Sequence, residues 1–289
     1  MNLRGTLVTA ILVGAGFGIR ALPPVSLPPA VAAWWPFDGS TIVTLYFTDG
    51  ARLFPLSRRI AATGDVPRAA LQALLDGPGV RSGLTSPLAK GVQIRSLTVV
   101  DGVARVDLSS YASTDGQDGA TVAIVETLTA LPGVRSVALS IEGRSPAAPA
   151  ARTPLLYYAS ANGLVALTTA AHTARDAVTA YMAGPPDSAL TGVPRDVRLL
   201  EYAYEPDEGL ASLNFAYTES IRTLALEKPD IMRSVLLGLI ASLTEFPGVR
   251  AVRIDFDGHA RLGLGECSDL LRSPQPRPRL LNDERLLGS

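Results

Sequence analysis

The sequence predicts an α+β fold of two tandem modules, each ordered β-β-α-β-β-α-β, with helices on one face of a mixed sheet. Three observations support this prediction. The stretch LTALPGVRSVALSIEG at 128–143 returns without a gap as LTEFPGVRAVRIDFDG at 243–258. Turn signals such as Asp101-Gly102 separate runs of alternating apolar and polar residues. Amphipathic stretches that stop at Gly-Pro or Pro-Gly lie between those runs.

Composition and charge limit the class of protein. The 289 residues suit two domains, and a hydrophobic content of 47% is enough to build cores. A formal net charge of −1 argues against a general nucleic-acid binder, which would carry a basic stripe. Cys267 is the single cysteine, so neither an intrachain disulfide nor a cysteine-based metal cluster is expected.

Residues 1–20 are predicted to be a targeting segment. The uncharged, apolar stretch 5–19 follows Arg4, in the pattern of an export signal. Arg20 follows the apolar stretch directly, which favours an uncleaved membrane anchor, with a cleaved signal as the open alternative. The position of Arg4 predicts that the rest of the chain lies on the extracytoplasmic side. Two Pro pairs make residues 21–40 an extended linker.

Each element of the first module, residues 41–143, has a local signal. Asp49-Gly50 marks the turn of a first hairpin. Asp65 is a predicted N-cap, and the following helix stops at Gly77-Pro78. Asp101-Gly102 marks a second hairpin. The repeated stretch then combines the end of a second helix, a Pro-Gly turn and a closing strand.

The second module repeats this order over residues 154–262. Residues 144–153 are predicted to link the modules, and residues 263–289 are predicted to be a C-terminal tail. Within that tail, SPQPRPR indicates an extended conformation, and LLNDERLL either folds back on a module or docks a partner.

The motifs taken together resemble the GerMN (Germane) domain family. They are the LYF opening, the helix end LLDGP, the strand ARVDLS and the close LTALPGVRSVALSIEG, in that order. The resemblance implies an extracytoplasmic bacterial protein linked to sporulation and spore germination. It also implies a fold similar to the ring-building modules of secretion and sporulation channels.

Neither a catalytic motif nor a cofactor motif is complete in the sequence. We find no GxSxG elbow, no P-loop and no HExxH pattern. His259 lies near Asp255 and Asp257, but one histidine with two aspartates is a loose pattern for a metal site. His172 precedes a predicted helix as a solvated or capping residue. The sequence therefore predicts no enzyme activity, no cofactor and no metal.

Three residues are candidates for interaction. Asp107 ends a strand, and its equivalent in the second module is Asn214, which puts a shared role in doubt. The other two candidates, Arg135 and Arg250, occupy equivalent positions in the repeated stretch, where they contact the other module or a partner.

The sequence predicts a membrane-tethered, non-enzymatic cell-envelope protein whose paired modules bind other proteins. Envelope or sporulation proteins are the expected partners, with peptidoglycan and a second copy of the chain as further candidates, and nucleic acid is not expected. Two alternatives stay open: a peptidoglycan- or small-ligand-binding module, with a cleft lined by Tyr46, Tyr202 and Tyr204, and a regulator of a cell-wall amidase.

Overall fold

The computed structural model describes residues 39–50, 52–61, 64–110, 118–144, 148–259 and 263–287. The predicted anchor and most of the predicted linker, residues 1–38, lie outside the described residues. No helix within the described ranges is both long and apolar enough to cross a membrane. From Ser40 onward, the described residues form one compact unit.

The first module contains six strands and two helices among the described residues. Its elements are β1 (Ser40–Asp49), β2 (Arg52–Ala61), α1 (Val66–Leu75), β3 (Ile94–Val100), β4 (Val103–Leu108), α2 (Asp118–Thr129), β5 (Ser136–Ile141) and β6 (Ala150–Ala151). The predicted order is therefore observed, with the short strand β6 added after the closing strand.

The second module repeats this order with one division. Its elements are β7 (Leu155–Ser160), β8 (Gly163–Thr168), α3 (Ala174–Met182), β9 (Leu199–Glu205), β10 (Leu210–Phe215), α4 (Glu219–Glu227), α5 (Pro229–Leu243), β11 (Ala251–Phe256) and β12 (Gln275–Pro276). The second helix is split into α4 and α5 because Pro229 starts a new helix at its first position. Two short 3₁₀ helices, Gly265–Leu270 and Glu284–Leu286, flank β12.

The first hairpins of the two modules form one shared sheet. Its strand order is β1-β2-β8-β7, so the two hairpins meet through their second strands. The central pair is joined at a single register position, Leu53 opposite Ala166. This shared sheet gives the junction of the modules an approximate twofold arrangement.

The remaining strands of each module form a separate mixed sheet. The order is β3-β4-β5-β6 in the first module and β9-β10-β11-β12 in the second. In both, the hairpin is antiparallel and the closing strand runs parallel to the hairpin's second strand. The predicted α+β class with mixed sheets is confirmed.

Local chemistry accounts for the ends of several elements. The Asp65 side chain accepts a hydrogen bond from the Arg68 amide at 3.0 Å, as expected for an N-cap. Thr173 and Asp176 form a capping box at the start of α3. Asp101 (φ 51°) and Gly102 (φ 74°) both adopt the left-handed conformation that a two-residue hairpin turn requires.

Helix α5 packs directly on strand β7. Gly238 faces this strand, and a Cβ atom added there would collide with the main-chain carbonyl oxygen of Tyr157. Because a backbone atom cannot rotate away as a side chain can, the close approach of helix and strand depends on this glycine.

Replacement by alanine is expected to change the free energy of unfolding in opposite directions at Gly238 in α5 and at Gly119 in α2. Gly238→Ala is expected to lower the free energy of unfolding by about 2 kcal/mol, since the helix must move off the strand. Gly119→Ala, where the nearest foreign atom is 3.9 Å from the added Cβ, is expected to raise it by about 0.5 kcal/mol through helix propensity. Urea denaturation of both variants measures the difference, and equal effects would contradict the packing account.

Candidate functional site

A group of ionisable side chains lies buried where the two modules meet. We call it the junction cluster. Its members are Tyr46, Glu126, Arg152, Tyr157, Glu245 and Arg277. Two glutamates and two arginines balance in charge, as a buried ionic group requires.

The two tyrosines occupy equivalent positions on β1 and β7. Their hydroxyl oxygens are 2.9 Å apart, although the residues are 111 positions apart in the chain. The Tyr46 amide donates to Thr127 Oγ1 at 3.1 Å, and the Tyr157 amide donates to Ser242 Oγ at 2.8 Å. Each strand is thus joined to the second helix of its own module by a buried hydroxyl.

Three side chains converge on one oxygen of Glu245. Its Oε1 accepts from Arg152 Nη2 at 2.7 Å and from the Tyr157 hydroxyl at 2.6 Å, and Arg277 Nη2 lies 2.6 Å away as an ion-pair contact. Only 1% of the Glu245 side chain is exposed, and its second oxygen, Oε2, is buried without a hydrogen-bond partner. Arg277 also lies 5.5 Å over the Tyr157 ring, which adds a cation–π contact.

Glu126 is compensated less completely than Glu245. Its Oε1 accepts from the Thr153 amide at 3.2 Å, while its Oε2 lies 3.1 Å from Arg152 Nε. The second contact has the distance of an ion pair but lacks hydrogen-bond alignment, and both of its atoms are buried without another partner. Burial accordingly raises the pKa of Glu126 to about 7, against the lowering effect of Arg152.

The two arginines arrive from segments outside the repeated elements. Arg152 follows β6, which pairs with the closing strand β5. Arg277 follows β12, which pairs with the closing strand β11 in the same manner. Both stretches read Arg-x-x-Leu-Leu, a repeat within the predicted linker and tail that could have identified these residues from the sequence.

The side chains of the junction cluster act as hydrogen-bond donors and acceptors. Burial raises the pKa of both Tyr46 and Tyr157, so their hydroxyls stay protonated at neutral pH and act as donors. None of the three pockets characterised on the described surface is lined by a member of the cluster. The arrangement holds the two modules together.

Glu126 is expected to make the stability of the folded chain depend on pH. Its folded-state pKa of about 7 lies above the ordinary value of 4.5, so the folded state binds the proton more tightly. The free energy of unfolding should therefore fall by about 3 kcal/mol as the pH rises through this interval, and level off above it. Urea titrations from pH 5 to pH 8 measure the slope. Glu126→Gln should abolish it, and a slope that survives this substitution would rule out Glu126 as its source.

The C-terminal segment fills a gap between β2 and β8. The Asn282 side chain donates to Pro55 O at 2.6 Å and to Leu164 O at 2.8 Å, and it accepts from the Leu164 amide at 2.7 Å. Pro55 has no amide hydrogen to offer β8, so the asparagine supplies the pairing that the strands lack. Residues of the predicted tail thus lie against both modules.

Neighbouring contacts strengthen this docking. The Ser57 amide donates to Asn282 O at 2.6 Å, and the Leu281 amide donates to Ser57 Oγ at 3.1 Å. Arg58 makes a bidentate pair with Glu284, at 2.5 and 2.7 Å. The sequence leaves two alternatives open for LLNDERLL, folding back on a module or docking a partner. This geometry matches the first of them.

Asp107 caps the turn after the closing strand of its own module. Its Oδ1 accepts from the Gly143 amide at 2.9 Å and from Ser140 Oγ at 3.1 Å. Asn214 Oδ1 accepts from the Gly258 amide at 2.9 Å in the second module. The amide oxygen of Asn214 accepts the same backbone hydrogen bond as the carboxylate oxygen of Asp107. Asparagine therefore suits this position in the second module.

Arg135 and Arg250 lie against the hairpin turns of their own modules. Arg135 Nη2 donates to Asp101 O at 2.6 Å, and Arg250 Nη2 donates to Asp207 O at 2.5 Å. Both residues are exposed. The contacts described are internal to each module, and contact with a partner stays a prediction.

The other residues considered from the sequence are not brought together. His172 and His259 are exposed, and Cys267 is buried with its thiol 3.5 Å from Pro229 O. Tyr46 lies in the junction cluster, whereas Tyr202 and Tyr204 lie on β9. The predicted cleft lined by all three tyrosines is therefore wrong, because Tyr46 is fully buried at the shared sheet.

The fold and the junction cluster define a tandem α+β repeat protein whose modules are joined through a shared sheet. The family model Germane, described as sporulation and spore germination, matches residues 44–146 and 155–261. The chain belongs to this family. The resemblance inferred from the sequence is confirmed.

A solved structure of two tandem domains supports the same fold. The tandem GerMN domains of the sporulation protein GerM from Bacillus subtilis align with a TM-score of 0.65 at 18% identity, covering 84% of this chain and 99% of that chain. The first GerMN domain of the same protein aligns over 37% of this chain and 86% of that chain, at 19% identity and a TM-score of 0.33. A putative lipoprotein from Clostridium perfringens aligns over 40% of this chain and 89% of that chain, at 20% identity and a TM-score of 0.28. No curated protein sequence matches the chain significantly.

Proposed function

We propose that the protein is an exported, membrane-tethered and non-enzymatic component of the cell envelope, in which two joined modules act as one docking body. The observation that carries this proposal is the junction cluster together with Asn282, which fastens the modules to each other. Membership of a family described by sporulation and spore germination supports a role in those processes. The apolar stretch 5–19 supports the tether.

The buried position of the ionisable groups supports a non-enzymatic role. Catalytic groups need contact with a substrate, whereas Glu126 and Glu245 have side chains only 2% and 1% exposed and are opposed by arginines. Burial against arginines is typical of carboxylates in a structural ion-pair network.

Exposed apolar residues on the hairpins of the two modules suggest where partners bind. Val99 and Val100 on β3 are 39% and 54% exposed, and Leu200 on β9 is 50% exposed. These strands lie at the ends of their sheets, where unpaired backbone groups can accept another chain. We place the docking surfaces at these two strands.

Site-directed photocrosslinking in the native organism tests the proposal. A photoreactive residue at Val100 or Leu200 should capture envelope proteins from the membrane fraction, and one at the exposed Thr179 on α3 serves as control. Recovery of the chain in the soluble fraction would refute the tether. Crosslinks no richer at the strand positions than at Thr179 would refute the docking surfaces, and crosslinks only to a second copy would identify self-association.

A further inference from the structure

The second module carries an open pocket of about 430 Å³ between the start of α3, strand β9 and the turn before β11. Phe246 and Val249 form an apolar floor, and Tyr202 and Tyr204 form an aromatic wall. Its size and mainly apolar lining suit a small ligand or a few residues of a peptide.

The rim of the pocket is cationic. The Arg175 guanidinium lies 5.0 Å over the Tyr202 ring, and its Nη2 is 3.4 Å from Tyr202 O. His172 also lines the pocket, but the Asp176 carboxylate in the capping box of α3 interacts with it, so the cationic character of the rim comes from Arg175. Among the described residues we find no ion pair of Arg175 with a carboxylate. A guanidinium held over an aromatic ring, without a protein counter-ion, is suited to bind an anionic group.

The first module shows that the fold does not require these side chains. Its equivalent positions carry one acidic and several aliphatic residues, although an arginine is retained. The pairs are Asp65 and His172, Arg68 and Arg175, Leu97 and Tyr202, Val99 and Tyr204, and Leu131 and Phe246. The first module lacks the aromatic side chains that line the pocket, so the aromatic pocket belongs to the second module.

Strand β9 offers backbone partners next to the pocket. It is the last strand in its sheet, and within the described ranges it pairs only with β10. Its side chains alternate, so Tyr202 and Tyr204 point to the same face. An extended peptide can add to such an edge and place its side chains in an adjoining pocket.

We propose that this pocket binds the carboxyl end of an extended peptide. The peptide backbone pairs with β9, its apolar terminal side chain lies against Tyr202 and Tyr204, and its carboxylate faces Arg175. A cell-wall stem peptide and the C-terminus of a protein share this chemistry. The proposal shares strand β9 with the docking surface proposed above, but it concerns an aromatic pocket that the first module lacks.

Isothermal titration of the full chain in detergent tests the proposal with three probes: a muropeptide with a free stem carboxylate, the tetrapeptide Ala-Ala-Ala-Phe as free acid, and the same tetrapeptide as C-terminal amide. A free acid should bind at least about tenfold more tightly than the amide, since the charged hydrogen bond is lost in the amide. Binding of the muropeptide alone identifies the wall as source, binding of the tetrapeptide alone identifies a protein terminus, and binding of both supports the shared chemistry.

Two matched variants make the result specific. Arg175→Gln should weaken binding of the acid about tenfold without shifting the urea midpoint, because the residue is exposed. Arg68→Gln, at the equivalent position of the first module, should leave binding unchanged. Absence of binding by every acid, equal affinity for acid and amide, or an equal loss in the Arg68→Gln variant would overturn the proposal.

Discussion

Replacing Arg152 with alanine is expected to lower the free energy of unfolding by about 3 to 5 kcal/mol at pH 8, the range seen when one partner of a buried ion pair is removed. Arg152 lies between Glu126 and Glu245, whose side chains are 2% and 1% exposed. Without it, Glu126 loses the one ion pair that it makes among the described residues. Urea denaturation at pH 8 measures the loss.

An exposed ion pair provides the control for this prediction. Arg222 and Glu219 pair at 2.5 Å on the surface of α4, with side chains 52% and 70% exposed. Arg222→Ala should leave the free energy of unfolding nearly unchanged, because water replaces the lost contact. The loss caused by Arg152→Ala should also shrink toward pH 6, as Glu126 takes up a proton. Equal losses for the two variants would show that the junction cluster does not hold the modules.

Replacing Asn282 with aspartate is expected to be similarly severe, at about 4 kcal/mol. Asn282 Nδ2 donates to two carbonyl oxygens, Pro55 O and Leu164 O. An aspartate would place a carboxylate oxygen against both, leaving buried acceptors unpaired and adding a buried charge. Thermal and urea unfolding measure the loss, and limited proteolysis should cut residues 277–287 more rapidly.

Two further substitutions serve as controls for Asn282→Asp. Asn282→Ala should lower the free energy of unfolding by about 2 to 3 kcal/mol, since the hydrogen bonds are lost but no charge is buried. Asn162→Asp makes the same chemical change in an exposed turn, and we expect it to have little effect. A mild Asn282→Asp variant with unchanged proteolysis would mean that the C-terminal segment does not fasten the modules.

Much of the fold could be predicted because its signals are local. The N-cap at Asp65 and the hairpin turn at Asp101-Gly102 depend on residues close in sequence, and both appear as expected. The shared sheet could not be predicted in the same way. Its central contact joins Leu53 to Ala166, and the residues around these positions carry no signal for a particular partner strand.

The candidate site was missed for a related reason. Arg152 stands in a stretch rich in Ala and Pro, and Arg277 in a stretch rich in Pro and Arg, so both resembled connecting segments. Their role depends on contacts with Glu245, which is 93 residues after Arg152. By contrast, Arg135 and Arg250 attracted attention because the repeat places them in a recognisable motif, although their described contacts are to nearby turns.

The docking of Asn282 also has a kinetic consequence for a chain that is synthesised from its amino terminus. Its partner Pro55 lies 227 residues earlier, so the gap in the shared sheet stays unfilled until both modules have been delivered. Contacts over such distances form slowly, because a long loop must close first. Nascent molecules therefore pass through a state with the β2–β8 gap open, when proteases and chaperones have their best access to the protein.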